Sequence, residues 1–596
     1  MQFSLIADCY EKIEATTKRL EMTDYLTQLM MLTPKAIIDK VVYLTQGKLY
    51  PDFVSTEIGI AEKLAIQAVA KATGKHENEI SEDLAKTGDV GETAQKFLAT
   101  KTQATLFEEA ALTVEEVYEI LDVIAKASGA GSTDKKLSLL AGLLTRAKPQ
   151  EAKYIVRIVT GSLRVGIADM TVLDALAIAY GGGKASRSVL ERAYNISSDL
   201  GRVAETVAEG GLKEIADFNV RLGSPIRPML AERLGSIEGI LEKLGGRCRA
   251  EFKYDGERVQ VHKRDNDVIL FSRRLENITS QYPDVVVLVK EFIKARDVIV
   301  ETECVAIDLE TGELRPFQEL MHRRRKHGVS KAIAEYPVSM FVFDALFVDG
   351  DDYTLKPYET RHRKLEEIVV ASDQVHCAES VIVNNVADLE RFFEGAVEAG
   401  CEGLICKSLS EDSVYQAGAR GWMWIKYKRD YKSEMTDTVD LTVVGAFHGR
   451  GKRAGTYGAL LLAAYNPKKD MFETVTKCGT GFTDDDLEKL PRMMKEHQIR
   501  NKSPRIESTL EADIWFEPYV VLEVLGAEIT LSPTHTCGMN EIRQGSGLAI
   551  RFPRFTGNYR IDKSARDSTT NQEILEMYRN QLKSVGPASK LVQPRD

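Results

Sequence analysis

Residues 249–258 read Arg-Ala-Glu-Phe-Lys-Tyr-Asp-Gly-Glu-Arg, and the rest of the chain is organised around this stretch. Asp255-Gly256 is a strong signal for a two-residue turn, because both residues tolerate a positive φ. Apolar residues alternate on either side of the turn, with Phe252 before it and Val259 after it. The pattern predicts a β-hairpin in which Lys253 lies at the end of the first strand and faces the space that the paired strands enclose.

The bulk composition is that of an ordinary globular protein. The chain has 596 residues, of which 28% are charged and 43% hydrophobic, and this length suits roughly three to five domains. We expect neither a membrane span nor a secretory signal, because no apolar run of about 18 residues occurs and acidic residues come early. A formal net charge of −10 means that any surface for nucleic acid depends on local basic patches.

The distribution of cysteines indicates the redox environment in which the protein works. The eight cysteines are scattered and contain no Cys-x-x-Cys pair. This distribution argues against a zinc site and against a disulfide framework, and it suits a reducing cytoplasm.

The first two hundred residues predict helices throughout. In the segment 113–128, Thr113 and Glu116 form a capping box, apolar residues fall on one face, and Gly129 is a plausible stop. Further helices are predicted at 35–45, 57–73, 134–147 and 150–160. The glycine-containing connections 87–91 and 129–132 present backbone amides of the kind that bind phosphate, although most such loops are merely loops.

Two later changes of pattern predict two further domains. Pro225 and Pro228 break the helical pattern, and alternation from about residue 245 predicts an α+β domain with a second turn at 264–267 and buried strands at 298–307 and 339–347. Short strands at 441–447, 458–465, 472–478, 514–517 and 520–524, with helices at 484–497 and 571–582, suit a Greek-key barrel of the OB type. We therefore predict a helical domain at 1–215, an α+β domain at 216–428 and a β-barrel domain at 429–596.

The spacing Lys253-x-Asp255-Gly256-x-Arg258 resembles the adenylation motif of covalent nucleotidyltransferases, the family of DNA ligases, RNA ligases and mRNA-capping enzymes. In that family the lysine attacks the α-phosphate of a nucleotide and carries the nucleotide as a phosphoamide. Five later stretches resemble further family motifs in the family's order. They begin at Ser272-Arg273, Glu301-Thr302-Glu303, Phe343-Asp344, Glu402-Gly403 and Arg420-Gly421. The family usually has Asp-Gly-Glu at the second of these, so only Glu303 matches it cleanly.

The resemblance implies a role for each matching residue. Lys253 is the catalytic nucleophile, Glu303 and Glu402 hold Mg²⁺, and a further set contacts ATP: Glu251, Arg258, Arg273, Glu303, Phe343, Arg420 and Lys426. A free lysine is protonated near pH 7, with a pKa of about 10.4, and is then no nucleophile. Neighbouring cations would favour the neutral amine and neutralise the triphosphate, and the candidates are Arg258, Lys407, Lys426 and Lys428.

Features outside these motifs indicate which kind of nucleotidyltransferase the chain resembles. Arg551-Phe-Pro-Arg554 resembles the closing motif of DNA ligases, in which cations orient the leaving pyrophosphate, and the segment 157–166 resembles the helical DNA-binding domain of replicative ATP-dependent ligases. Arg157 and Arg164 are then phosphate contacts or ordinary exposed helix residues. A capping enzyme lacks that helical domain, and an NAD⁺-dependent ligase carries a cysteine zinc cluster.

The resemblance is thus to ATP-dependent DNA ligases of the archaeal and eukaryotic replicative type. We expect a cytoplasmic, nucleoid-associated monomer that seals nicks in double-stranded DNA during replication, repair and recombination. An RNA ligase or capping-type transferase is the rival enzyme, and a non-catalytic DNA-binding scaffold is the rival from another class.

Two short segments suggest binding surfaces. Arg450, Lys452 and Arg453 lie between glycines and suit contact with duplex phosphates, or they form a solvated hairpin. The segment 103–107, Gln-Ala-Thr-Leu-Phe, resembles the peptide by which replication enzymes dock on the sliding clamp. Its Leu106 and Phe107 are otherwise buried helix residues.

Overall fold

The structure is a computed structural model that describes residues 1–100, 110–307, 314–315, 317–323, 333, 335–428, 438–449, 456–526, 528–532, 534–542, 544–551 and 553–583. The chain divides into two compact units, Met1–Tyr427 and Lys428–Asp596. The proposed clamp-docking segment 103–107 and the three basic residues Arg450, Lys452 and Arg453 lie outside the described residues.

The amino-terminal part of the first unit is helical, as the periodicity predicts. Its helices are α1 (Ser4–Glu14), α2 (Arg19–Leu32), α3 (Ile38–Thr45), α4 (Glu62–Thr73), α5 (Glu77–Thr87), α6 (Val90–Ala99), α7 (Val114–Lys126), α8 (Ser132–Arg146), α9 (Pro149–Val159), α10 (Asp169–Tyr180), α11 (Arg187–Ser197) and α12 (Leu200–Ala216). They enclose one apolar core that runs from Phe3 to Ile215.

Helix α7 illustrates how the sequence fixes a helix end. The Thr113 hydroxyl accepts a hydrogen bond from the Glu116 amide at 3.2 Å, and the Glu116 carboxylate accepts one from the Thr113 amide at 3.0 Å. The predicted capping box is therefore confirmed. Val117, Leu121 and Ile124 are completely buried, and such burial contributes about 1.5–3 kcal/mol for each side chain.

The central part of the first unit mixes strands and helices. Its elements are β1 (Leu230–Arg233), α13 (Ile237–Lys243), β2 (Cys248–Lys253), β3 (Glu257–Arg264), β4 (Asp267–Ser272), α14 (Pro283–Phe292), β5 (Asp297–Ala306), α15 (Phe317–Leu320), β6 (Val338–Val348), β7 (Asp351–Asp352), α16 (Tyr358–Ile368), β8 (Val375–Cys377), β9 (Ser380–Val383), α17 (Val386–Glu398), β10 (Gly403–Ser408) and β11 (Arg420–Lys428).

These strands form two sheets. One has the order β1-β11-β10-β2-β9, and the other has the order β4-β3-β5-β6-β7, with β8 beside β6. A small apolar cluster joins residues of both sheets, among them Ile299, Leu346 and Trp424. The predicted hairpin at 264–267 is confirmed, because β3 and β4 pair antiparallel around Asp265, whose φ is +50°.

The predicted hairpin at Asp255-Gly256 is wrong. Strand β2 pairs with β9 and β10, whereas β3 pairs with β4 and β5. The two residues therefore carry the chain from one sheet to the other. Local turn chemistry identified a sharp change of direction here but not the partner of each strand, since pairing depends on residues distant in sequence.

The second unit contains a curled sheet. Its elements are β12 (Val439–His448), β13 (Tyr457–Asn466), β14 (Met471–Cys478), α18 (Asp484–Met494), β15 (Gln498–Ile499), β16 (Ile506–Glu507), β17 (Ile514–Phe516), β18 (Val521–Leu525), β19 (Glu528–Ser532), β20 (Gly547–Arg551), β21 (Arg554–Tyr559) and α19 (Asn571–Lys583). Strand β12 pairs with β13, β17 and β18, while β19 and β20 form a separate ribbon. Among the described residues, no helix combines the length and apolar character needed to cross a membrane.

Candidate active site

Lys253 lies at the end of β2, where the neighbouring strand β10 begins. Its Nζ atom is 2.6 Å from Oε2 of Glu402. The backbone amide of Glu402 donates a hydrogen bond to the carbonyl of Lys253 at 2.8 Å, and Lys253 lies opposite Gly403 in the sheet. Backbone pairing therefore fixes this carboxylate beside the lysine.

The chain crossing after Lys253 brings the second sheet to the same place. A methyl group on Gly256 would overlap the carbonyl oxygen of Cys304 and would come within 3.0 Å of Glu303 Cγ. Only glycine permits this approach of the crossing to β5. The Tyr254 ring stacks on Phe341 of β6 at 3.9 Å, so the crossing is held by an aromatic contact as well.

Three carboxyl groups surround the lysine. Burial and the neighbouring Glu402 raise the pKa of Asp255 to about 6. Burial also raises the pKa of Glu303 to about 7, with Glu402 and Asp255 adding to the shift and Lys253 and Arg258 opposing it. Burial is the main cause in both cases, so these two groups bind a proton more tightly than ordinary carboxyl groups do.

This donor set fits a divalent metal ion. Carboxylate oxygens are the ligands that Mg²⁺ prefers, and Mg²⁺ is usually bound by one or two carboxylates together with substrate phosphates. Within the described part of the chain, no three His, Cys, Asp or Glu side chains form a metal-binding group by themselves. Glu303 and Glu402 would therefore share the ion with a phosphate-bearing substrate.

A fourth carboxylate, that of Glu251, lies two residues before the lysine on the same face of β2. Glu251 is only 3% exposed, accepts a hydrogen bond from the Tyr358 hydroxyl and lies 2.7 Å from the Nζ atom of Lys407. Burial raises the pKa of Glu251, while Lys407 and Tyr358 oppose that shift. The expectation that Lys407 faces the triphosphate needs correction, because its side chain is only 1% exposed and is held by Glu251.

The half-buried ring of Phe343 lies beside this ion pair. Its centroid is 6.2 Å from that of Trp424, edge to face. The guanidinium of Arg258 lies 5.3 Å from the Phe343 ring. An aromatic face thus adjoins a buried carboxylate, an arrangement suited to a flat heterocycle with polar edges.

Arg258 is anchored rather than free to follow a phosphate. It binds the buried Glu301 carboxylate and donates to the Met229 carbonyl at 2.8 Å. Across β5 it lies opposite Glu303. Arg273, an exposed residue, lines a small recess together with Arg258 and Glu301.

The predicted basic strand is β11. Arg420 is exposed, and Lys426 and Lys428 are half-buried. Because side chains alternate along a strand, these three share a face with Trp424, which contacts Phe343. The strand therefore places Lys426 on the face that adjoins the aromatic pocket.

The two arginines of the helical domain that were candidates for phosphate contact, Arg157 and Arg164, differ in their exposure. Arg157 is 3% exposed and forms ion pairs with Asp89, at 2.7 Å, and with Glu14. It is therefore a buried structural residue, and neither an exposed helix residue nor a phosphate contact in this conformation. Arg164 is one-third exposed and donates to the Gly88 carbonyl at 2.8 Å.

The loop at 87–91 uses its amides internally. Asp89 caps helix α6 by accepting hydrogen bonds from the amides of Gly91, at 2.8 Å, and Glu92, at 3.2 Å. Those amides are not presented to a phosphate.

In the second unit, Arg551 ends β20, Arg554 begins β21, and both side chains are exposed.

Sequence reasoning missed several residues of this site. Tyr358 begins helix α16 more than a hundred residues after Glu251, and no local pattern pairs them. Glu301 departs from the Asp-Gly-Glu motif and so carries no predicted role, yet its buried carboxylate holds Arg258. Asp255 was read as a turn residue, although its place beside Lys253 within the motif was a usable signal.

Matches to known families cover most of the chain. Residues 2–177 match the family described as "DNA ligase N terminus", residues 228–428 match "ATP dependent DNA ligase domain", and residues 453–563 match "ATP dependent DNA ligase C terminal region".

Similar proteins extend over the full length. A DNA ligase 2 of Thermofilum pendens is 55% identical over 591 residues, covering 98% of each chain. A DNA ligase of Staphylothermus marinus is 52% identical over 596 residues, covering 98% of this chain and all of its own. Two solved structures, described as Pmar-Lig_Pre. and Pmar-Lig_PreS3, share the fold at 16% identity, with TM-scores of 0.55 and 0.53 over 93% of this chain and 99% of theirs.

A strand-end lysine among carboxylates, with an aromatic ring nearby, suits a nucleotidyltransferase that forms a covalent intermediate. The matches in all three parts of the chain then identify the family. The chain belongs to the ATP-dependent DNA ligases, enzymes that join nicks in DNA with ATP and a divalent metal ion such as Mg²⁺. The family and the activity predicted from the sequence are confirmed.

Proposed function

We propose that Lys253 is the nucleophile that carries AMP during nick sealing. The observation that supports this most is the position of its Nζ atom, 2.6 Å from Glu402 in a pocket shared with Asp255 and Glu303. An amine held at a strand end by a neighbouring carboxylate is positioned for attack on a phosphate bound in the same pocket.

The reaction has three balanced steps. Lys253 Nζ attacks the α-phosphorus of ATP, forming a P–N bond as the bond to pyrophosphate breaks, and Glu402 is within reach to accept the lysine proton. The 5′-phosphate at the nick then displaces the lysine and takes the AMP. Finally the 3′-hydroxyl attacks that 5′-phosphate, forms the phosphodiester bond and releases AMP.

The remaining residues bind and orient the nucleotide. Glu251 would accept a hydrogen bond from the adenine edge, and Phe343 would stack on its face, a contact worth about 1–3 kcal/mol by analogy with base stacking. Arg258 of β3 and Glu303 of β5 lie opposite each other in the sheet and would flank the sugar and phosphates. Arg273, which lines the small recess beside Arg258, and Arg420 and Lys426 of β11 would contact phosphate oxygens.

Glu303 and Glu402 would hold the Mg²⁺ ion, which when bound offsets the charge on the phosphate oxygens.

We also propose three domains at 1–215, 216–428 and 429–596, with an OB-type barrel in the last. Separate apolar cores in each range support this division, and so does the curled sheet around β12. A monomer in the cytoplasm, associated with the nucleoid, suits an enzyme acting on chromosomal nicks. Docking of residues 103–107 on a sliding clamp and phosphate contact by Arg450, Lys452 and Arg453 remain proposals from sequence.

The decisive experiment incubates the protein with ATP and Mg²⁺ and measures its mass. We expect wild type to gain one AMP on Lys253 and the Lys253→Ala variant to gain none and to seal no nick from ATP. A stable AMP adduct on the variant would show that another residue is the nucleophile.

A further inference from the structure

The ammonium of Lys407 joins the two parts of the proposed adenine pocket. Its Nζ atom lies 2.7 Å from Oε2 of Glu251 and donates a hydrogen bond to the backbone carbonyl of Phe343 at 3.0 Å. Glu251 belongs to β2 of one sheet and Phe343 to β6 of the other. A single side chain therefore bridges the proposed edge contact and the proposed stacking ring.

Lys407 is closed off from solvent by aromatic rings. Its Nζ atom lies 4.6 Å from the Tyr358 ring centroid, 4.5 Å from Trp424 and 5.2 Å from Phe343, and its side chain is 1% exposed. Cation–π contacts of this kind partly offset the loss of hydration. An ammonium so enclosed cannot follow a mobile phosphate, and its fixed partners are Glu251 and Phe343.

The charge on Lys407 sets the chemical state of Glu251. A fully buried carboxyl group without a cationic partner is favoured in its neutral form. A carboxylate accepts hydrogen bonds only, whereas a neutral carboxyl group also donates one. The state of Glu251 therefore decides whether it matches a purine that presents a 6-amino donor or one that presents a 6-oxo acceptor.

We propose that Lys407 is a positioning residue that holds Glu251 as a carboxylate against the purine 6-position and so makes the enzyme select adenine over 6-oxopurines. This inference rests on the proposed function, in which Glu251 reads the adenine edge. Lys407 acts through Glu251 and the Phe343 backbone and does not touch the reacting phosphate.

The test compares ATP with inosine triphosphate, in which a 6-oxo acceptor and an N1–H donor replace the 6-amino donor and the N1 acceptor of adenine. The kcat/KM for loading Lys253 is measured by the mass of the adduct in wild type, Lys407→Met, Glu251→Gln and the double variant. We expect the ATP preference to fall about tenfold or more in Lys407→Met, mainly through a raised KM for ATP. Structural damage alone would lower loading from both nucleotides equally.

The double variant protects the test against misfolding. It buries no uncompensated charge, so we expect it to unfold at nearly the wild-type temperature and to show no better ATP preference than Glu251→Gln alone. A wild-type preference retained in Lys407→Met, or in the double variant where the single variant does not fold, would overturn the inference.

The outcomes also separate this inference from the proposed function. If wild type itself loads both nucleotides equally, Glu251 does not read the purine edge and the proposed adenine contact is wrong. If wild type prefers ATP and Glu251→Gln does not, while Lys407→Met retains the preference, only the role of Lys407 is wrong.

Discussion

The carboxyl groups of Asp255 and Glu303, beside Lys253, bind protons more tightly than ordinary carboxyl groups do. Burial disfavours their charged forms, and their mutual repulsion adds to that effect, which is why the pKa of Glu303 is raised to about 7 and that of Asp255 to about 6. Raised carboxyl pKa values of this kind are common at functional sites.

The first prediction concerns the pH dependence of Lys253 adenylation. Glu303 must be ionised to bind a metal, so the rate should fall as pH decreases through about 7. Raising the Mg²⁺ concentration should move the midpoint to lower pH, because the ion favours the carboxylate form. Initial rates of adduct formation between pH 5.5 and 8.5 at several Mg²⁺ concentrations provide the measurement. A midpoint that does not respond to Mg²⁺ would contradict the assignment.

Stability should show the opposite dependence. The pKa of Glu303 is raised in the folded protein from an ordinary value of 4.5 to about 7, so the folded state binds the proton more tightly than the unfolded state. The free energy of unfolding of the metal-free protein should therefore decrease as pH rises from about 4.5 to about 7. Urea unfolding across this range should show a weaker decrease for Glu303→Gln than for wild type.

The crossing from β2 to β3 shows which feature of the strands could not be predicted from the sequence, namely their pairing. Periodicity and turn residues located both strands, and they located β5 and β6 to within one residue at either end. They could not show that β2 and β3 belong to different sheets, because a strand's partners are chosen by side chains far away in the chain. Gly256 is read locally as a turn residue, yet its place is fixed by the approach of Cys304.

The second prediction tests that approach. Gly256→Ala should push the crossing away from β5, costing about 1–3 kcal/mol in the free energy of unfolding and sharply slowing Lys253 adenylation. Gly235→Ala is the matched control, since a methyl group there meets no heavy atom within 4 Å. Chemical unfolding and adduct formation are measured for both variants. Wild-type adenylation by Gly256→Ala would mean that the close approach is dispensable.

Helices α6 and α9 show a similar limit. The sequence predicts α9, but it assigns residues 87–91, where α6 begins, to a loop and does not predict α6. The arginine on α9 is interpreted from its residue type alone as exposed or phosphate-binding. Its position in the three-dimensional packing instead places it among Asp89, Glu92 and Glu14, which it links across α1, α6 and α9.

The third prediction separates a structural from a DNA-binding role for Arg157. Arg157→Met leaves buried carboxylates without their cation and should cost about 3–5 kcal/mol in the free energy of unfolding. The salt dependence of nicked-duplex binding should stay that of wild type, because no phosphate contact is removed. Arg164→Met, at a one-third exposed position, serves as the comparison. A slope reduced by about one for Arg157→Met, without loss of stability, would restore the phosphate-contact interpretation.

At the scale of the whole molecule, the ordered set of motifs predicted more of the candidate site than any single helix or strand did. Lys253, Glu303, Phe343, Glu402 and Lys426 are separated by up to 173 residues, yet they converge on the two sheets of the first unit. The resemblance supplied that convergence, whereas composition alone, with a net charge of −10, gave no indication of a DNA partner. Residues outside the motifs, such as Tyr358, were not predictable because their roles arise only from the folded neighbourhood.

The last prediction concerns the role of two arginines of the second unit in the adenylation step. Arg551 and Arg554 lie on either side of the short connection between β20 and β21, both exposed, in the stretch that resembles the closing motif of DNA ligases. If they orient the leaving pyrophosphate, Arg551→Ala/Arg554→Ala should slow adenylation of Lys253 by about a hundredfold or more. Sealing of a pre-adenylated nick releases no pyrophosphate and should change far less.

The control for this prediction removes equal charge elsewhere in the same unit. Lys468 and Arg500 are exposed and lie outside the closing motif, so Lys468→Ala/Arg500→Ala should leave both steps near wild type. Adduct formation by mass and single-turnover sealing of a pre-adenylated duplex are measured side by side. Equal slowing of the two steps by Arg551→Ala/Arg554→Ala would place these arginines on the DNA instead, since phosphate contacts serve every step that needs the duplex bound.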